Sequence, residues 1–346
     1  MALSERPAVD RRVKRRLART VFPVAWVALA AVGVASLVGV TLGGPSRYVP
    51  LLASVVFLGL PHGALDHVTV PRARGSEPSV RSLAAVGALY LVFGGLYAVV
   101  WFLTPAAAFV GFLLLTWFHW GQGDVYPLVS LTEETHLRTR GQRALAATVR
   151  GGIPMVVPLV AFPETYRRVA ATTVELFAPE VTFAWLVSPP LRISVGVGLA
   201  LVTLASLLLG WRRAPHGPSR TAWLVDVGES VLLWAFFLVV PPLVAIGLYF
   251  PLWHSLRHLA RLAALDSPVA DALSNGHSLS AAASLGRDAL PMTAGAVVFL
   301  GALALTVPTA VGGIDEVASV YLVSLAVLTL PHVVVVSVLD RVQGIW

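Results

Sequence analysis

The run VFPVAWVALAAVGVASLVGVTLG, from Val21 to Gly43, contains no charged side chain. A helix needs about 20 apolar residues to cross the hydrocarbon core of a bilayer. About nine further apolar segments follow, near 48–70, 83–103, 106–122, 146–162, 190–210, 222–240, 243–262, 290–307 and 317–338. Only 12% of the 346 residues are charged, about half the usual share of a soluble domain. In hydrocarbon every backbone group must be satisfied within the segment, so such a chain folds as helices. The expected fold is therefore all-α: a polytopic transmembrane bundle of about 8–10 membrane-embedded helices. The stretch 163–189 is broken by Pro163, Pro179 and Pro189 and reads as a re-entrant or interfacial piece.

The division expected is a basic tail at 1–20, a helical catalytic domain at 21–340 and a short C-terminal tail at 341–346. The first apolar run exceeds the roughly 7–15 residues of a signal-peptide core, so it reads as an uncleaved span. The basic sequence before it belongs in the cytoplasm by the positive-inside rule. On that orientation, arginines crowd the inner loops, for example Arg72, Arg74 and Arg81, then Arg138, Arg140 and Arg143, then Arg212, Arg213 and Arg220. The outer loops at 104–105 and 308–316 carry none, whereas Arg167 and Arg168 fall on the outer side against the rule. The net charge of +7 thus belongs to membrane topology, and no nucleic-acid partner is expected. Cell-membrane localisation with an inner N-terminus follows.

Nine histidines are present. His136, His216 and His277 lie in polar loops and read as ordinary surface residues. The other six lie within apolar segments: His62 and His67 in LPHGALDH, His119 in TWFHWGQGD, His254 and His258 in WHSLRH, and His332 in LPHVVVV. Counted from the outer end of its own span, each of His62, His119, His258 and His332 lies roughly 20–22 Å deep at 1.5 Å per residue. A common depth on separate helices is what one shared site requires. His254 and His258 are four residues apart, so they share a helix face and can reach one ion. A single buried imidazole is more often a packing residue than a ligand. Four at one depth reverse those odds.

The chain has no cysteine, which removes thiolate catalysis and thiolate-bound metals. Imidazoles without thiolates suit zinc, copper, iron or nickel. Asp66, Asp124 and Glu229 are the carboxylates close enough in sequence or span to act as ligands, or to accept an imidazole N–H and fix its ring. A salt bridge is the plainer role for each. Prolines precede three sites, at Pro61, Pro251 and Pro331. Each removes a helix hydrogen bond, and the resulting kink is expected to turn an imidazole toward the bundle axis. Trp117, Phe118, Trp120, Tyr249, Phe250 and Trp253 crowd the same layer. An imidazole-bound metal beneath an oily pocket suits redox chemistry on a lipophilic substrate.

GLPHGALDH, FHWGQGD, WHSLRH and the late LPH, in this order from about 50 to 340, together resemble the Brp/Blh family of microbial membrane β-carotene 15,15′-dioxygenases. The resemblance implies Fe(II)-dependent cleavage of the central double bond of β-carotene by O2, giving two retinal molecules. Carried over by motif, His62, His119, His254 and His258 would bind iron and form the catalytic set. The resemblance gives no firm role to His67 or His332, which join Asp66, Asp124 and Glu229 as residues expected around that set. It also implies β-carotene and O2 as substrates, a lipid bilayer as the setting and a retinal-binding rhodopsin as consumer of the product.

Three other readings remain open on the residues alone. A membrane di-iron desaturase or hydroxylase would use the same imidazoles with two irons per chain. A proton-coupled transporter would use Asp66, Glu229 and the histidines as a relay. A haem-binding anchor would need only two of them.

Overall fold

The computed structural model describes residues 11–131, 135–180, 183–214 and 216–346. The first half of the expected basic tail lies outside these residues. Among the described residues there are helices and no strands. The helices are α1 (Arg11–Leu37), α2 (Val49–Ala53), α3 (Leu60–Gly63), α4 (Asp66–Ala73), α5 (Val80–Leu89), α6 (Gly95–Leu103), α7 (Pro105–Ser130), α8 (Arg140–Ala161), α9 (Pro163–Glu175), α10 (Pro189–Arg213), α11 (Gly217–Val239), α12 (Pro242–Tyr249), α13 (Leu256–Ala263), α14 (Ser267–Ser274), α15 (Ser278–Thr306) and α16 (Ile314–Gln343).

Among the described residues, eight segments are long and apolar enough to cross a membrane. Two more polar ones, α7 and the run from α12 to α13, complete a bundle that matches the ten apolar segments of the sequence. Boundaries follow local chemistry. Ser79 and Thr139 cap α5 and α8 through reciprocal bonds with Ser82 and Gln142. Prolines open α7, α9 and α10, and Gly344, at φ 70°, closes α16. Within 163–189, α9 is helical to Glu175 and no long helix resumes until Pro189.

Burial sorts the helices into centre and rim. The apolar windows of α8 and α16 are 67% and 56% buried, against 6% for the α5–α6 segment and 11% for α15. The α8 helix sits directly on α7 because both present glycine at the crossing. A Cβ on Gly121 would meet the Ala147 carbonyl, and one on Gly151 the Trp117 carbonyl. Small residues let membrane helices approach this closely. His119 lies midway between Trp117 and Gly121, the two α7 residues at the crossing.

Three spans are interrupted by wide π turns, at Val55–Gly59, Tyr90–Gly94 and Phe250–Ser255. Such turns are frequent at functional sites. The first is a true break: Phe57 is extended and Leu58 has φ 65°, a left-handed conformation that costs a leucine about 1–2 kcal/mol. The break ends at Pro61 and His62. The third contains Pro251 and His254. Two of the three histidines preceded by proline thus stand at π turns, whereas Pro331 and His332 lie within the continuous helix α16.

Candidate metal centre

Five imidazoles from four separate segments meet in the interior: His62 on α3, His119 on α7, His254 in the third π turn, His258 on α13 and His332 on α16. All five are at least nine-tenths buried. Ring centroids lie 5.6 Å apart for His62–His254, 5.8 Å for His62–His258, 5.0 Å for His62–His332, 4.7 Å for His119–His254, 4.8 Å for His119–His332 and 5.2 Å for His258–His332. The Pro61–His62 and Pro331–His332 steps deliver their rings to one place.

Each motif supplies its own geometry. In LPHGALDH, the broken backbone turns the Gly59 carbonyl onto His62 Nδ1. That bond leaves Nε2 as the free nitrogen. Gly63 packs beside His332, whose Nδ1 is 3.5 Å from where a Cβ would stand, an ordinary contact. Asp66 accepts from His332 Nδ1 at 2.9 Å and from Tyr90 Oη at 2.7 Å. In FHWGQGD, His119 Nε2 lies 3.0 Å from His254 Nε2. Gly121 makes the helix crossing, Gln122 donates to Asp340 at 2.9 Å, and Asp124 accepts from Trp253 Nε1. Gly123 leaves room for His254, whose Cε1 would be 2.9 Å from any Cβ at that position.

The polar atoms match what a metal needs. Among the described residues, His119 Nδ1, His254 Nδ1, His258 Nε2 and His332 Nε2 are buried with no hydrogen-bond partner. Buried polar nitrogens are rarely left this way, and a metal ion is a partner that would satisfy His258 Nε2 and His332 Nε2, whereas His119 and His254 face each other through Nε2 and turn their Nδ1 atoms away from that contact. One donor atom each from His62, His119 and His254 lie within 4.8 Å of one another, and so do donors from Asp66, His258 and His332. Two nitrogens on one ion at ~2.1 Å each are at most ~4.2 Å apart, so the all-imidazole triplet stands close to what one ion needs, whereas Asp66 in the other is already bonded to His332 Nδ1. Imidazole donors without sulfur fit iron, as they fit zinc or copper. His254 and His258 share a helix face, yet fall in different triplets, because the π turn holds one and the regular α13 the other.

The remaining expected residues divide. Asp66 and His332 belong to the cluster. Asp124 and Glu229 lie beside it in an ion network and touch no imidazole. Glu229 accepts from Arg257 at 2.5 Å, Arg150 at 2.9 Å and Trp26 at 2.7 Å. Asp124 stands 3.6 Å from Arg257 and 3.7 Å from Arg150. Arg257, the cation within WHSLRH, also lies 3.8 Å over the Trp253 ring. The network therefore clamps the segment carrying His254 and His258. His67 bonds the Ala64 carbonyl, in the turn that precedes its helix.

The expectation for His136 is overturned. It is 1% exposed and bonds Asp226 at 3.0 Å, extending the Arg150–Asp226 pair at 2.8 Å. Its polar sequence neighbours hid a residue that closes a buried network, and Asp226 on an apolar span was the signal available. His216 and His277 are exposed. Tyr90 escaped the sequence because no motif contains it, and Gly123 stood inside FHWGQGD without any signal of its contact with His254.

A cavity of about 430 Å3 opens over the cluster. His62, His119 and His332 form its polar floor, and Phe112, Trp120 and Phe250 its apolar wall.

The model of the β-carotene 15,15′-dioxygenase family matches residues 53–340. The chain belongs to that family. It is 46% identical over 334 residues, 96% of each chain, to the probable β-carotene 15,15′-dioxygenase Blh of Halobacterium salinarum. It is 33% identical over 309 residues to the probable β-carotene 15,15′-dioxygenase Brp of the same organism, covering 85% of this chain and 84% of the relative. The β-carotene 15,15′-dioxygenase of an uncultured marine bacterium is 27% identical over 209 residues, 60% of this chain and 67% of the relative. No solved structure matches. All five clustered imidazoles of this β-carotene 15,15′-dioxygenase family member fall inside the family match.

Proposed function

We propose that this chain cleaves the central 15,15′ double bond of β-carotene with O2 to give two molecules of retinal. The carrying observation is a cluster of five buried imidazoles, three of which floor an apolar cavity in a membrane bundle. The relatives named for this reaction support it over most of the chain. The reaction closes on its own reactants. The carbon–carbon double bond and the O–O bond break, each carbon takes one oxygen, and two aldehydes result with no external reductant.

The cofactor of this reading is Fe(II), held among His62, His119, His254 and His258. Iron would supply the site at which O2 is activated. His332 is added to that set because its free Nε2 points into the same cluster while Asp66 holds the opposite nitrogen. Carboxylate–imidazole pairs of this kind fix the tautomer and raise the basicity of a ligand. The apolar walls exclude water and orient the polyene. A polyene has many similar double bonds, so position rather than reactivity selects one.

The surroundings follow the same reading. The bilayer delivers the substrate, and the arginine-rich loops support a cell-membrane location with the N-terminus in the cytoplasm. A retinal-binding rhodopsin is the consumer of the product.

Expression in carotene-producing cells tests the activity. The pellet should turn pale and accumulate retinal. Equal colour and carotene content with and without the gene would end this reading. A second reading, a di-iron site, draws on the two donor triplets. Metal analysis separates them, at one iron per chain against two.

A further inference from the structure

We propose that Tyr321 and Ser54 are positioning residues for His62: their hydrogen bond across the bundle holds the broken turn that aims this ring at the cluster. Both act through Gly59. The proposal rests on the reading that His62 helps to hold the metal.

The need for a support comes from the backbone. Between Ser54 and Gly59 the chain closes a turn one residue wider than that of an α-helix, with Gly59 N donating to Ser54 O at 2.9 Å. Each residue of an α-helix turns the chain by about 100°. Reversion to ordinary turns would therefore rotate His62 by about that angle relative to α2 and take it off the cluster. Leu58 favours reversion, because a leucine resists the left-handed region in which its φ of 65° places it. Val56 and Phe57 are 69% and 67% exposed, so the outer face of the turn points away from the bundle. Whatever holds the turn has to act from the inner side.

That side meets α16. Ser54 Oγ donates to Leu51 O at 2.6 Å, which leaves Tyr321 Oη as the donor to Ser54 Oγ at 2.9 Å. Both side chains are 1% exposed. Tyr321 Oη also closes on Gly59: a Cβ there would stand 2.9 Å from it and 2.0 Å from the Ser54 carbonyl oxygen. Only glycine fits between the two. The Gly59 carbonyl in turn accepts from His62 Nδ1. A path thus runs from Tyr321 through Ser54 and Gly59 to His62, with a hydrogen bond at each step between residues. Tyr321 and His332 lie eleven residues apart on α16, about three turns, and so share a face. One helix thereby gives a ring to the cluster and a hydroxyl to the segment that aims another.

Iron(II) affinity, measured by competition titration on purified metal-free protein, tests the path without any carotenoid. Tyr321→Phe keeps the ring and removes the hydroxyl. Ser54 Oγ still donates to Leu51 O, so no buried donor is orphaned. The variant should bind iron about three- to tenfold more weakly, the scale of one neutral hydrogen bond. In a His62→Ala background no ring remains to be aimed, and Tyr321→Phe should change the residual affinity by less than about twofold. An equal loss in both backgrounds would make Tyr321 a packing residue and overturn the proposal, as would unchanged affinity in the wild-type background. Should His62→Ala bind too weakly to titrate, cobalt(II) in place of iron decides. Its visible absorption bands report ligand geometry, and Tyr321→Phe and Ser54→Ala should shift them alike. Bands identical to wild type in either variant would overturn the proposal. Wild-type protein that binds no iron would instead overturn the metal reading itself.

Discussion

His332 Nδ1 lies 2.9 Å from both carboxylate oxygens of Asp66, while its Nε2 is buried among four other imidazoles with no partner of its own. Asp66 is itself anchored by Tyr90 at 2.7 Å. The arrangement holds one ring in a single tautomer and points its basic nitrogen at the cluster. Removing such a supporting carboxylate typically costs about 10–100-fold in metal affinity. Asp66→Asn should therefore weaken iron binding by that factor in a competition titration. Tyr90→Phe should weaken it less, and His67→Ala, whose ring bonds only Ala64 O, should leave it unchanged.

Gly123 is the empty space behind His254. An added Cβ would stand 2.9 Å from Cε1 and 3.2 Å from Nδ1 of that ring. Gly123→Ala should displace the imidazole and lower iron content and retinal formation at least tenfold. Helical content by circular dichroism should be preserved, since alanine is a better helix former than glycine.

The ion network predicts a different kind of defect. Glu229 answers both Arg150 and Arg257 at full burial. Removing one member of a buried ion pair costs about 3–5 kcal/mol, because a desolvated charge is left behind. Glu229→Gln should lower the unfolding free energy in detergent by that order. Folded protein that remains should still bind iron, because Glu229 touches no imidazole. A loss of iron without loss of stability would place Glu229 in the metal centre instead.

Metal removal should be visible in stability as well as in activity. A ligand that binds only the folded state stabilises it by about 2.7 kcal/mol at one hundred times its dissociation constant. Chelated protein should melt at a lower temperature and release no retinal from β-carotene. Iron(II) should restore both, saturating at one equivalent per chain. Saturation at two equivalents would favour the di-iron reading.

Much of the site was legible before any fold. Apolar run length gave the spans, and each of the ten segments is a helix or broken helix in the structure. The rise of a helix is constant, so counting residues placed His62, His119, His258 and His332 at one depth. Counting does not say which way a ring faces or what stands across from it. Asp124 and Asp66 looked equivalent in sequence, each a few residues after a histidine. Yet Asp66 serves His332, 266 residues away, and Asp124 serves Trp253 and two arginines. His136 looked solvated because its neighbours are polar, and its burial depends on Asp226 from another helix.

The sequence by itself determined a helical membrane bundle with a layer of imidazoles at one level, because hydropathy and axial rise are properties of a single segment. Only the tertiary structure decided which carboxylate supports which ring, where arginine is neutralised, and that His254 and His258 fall to different triplets. Those outcomes depend on helix rotation and on contacts between segments far apart in the chain. A glycine crossing at Gly121 and Gly151 and a π turn around His254 set them, and neither acts until the helices pack.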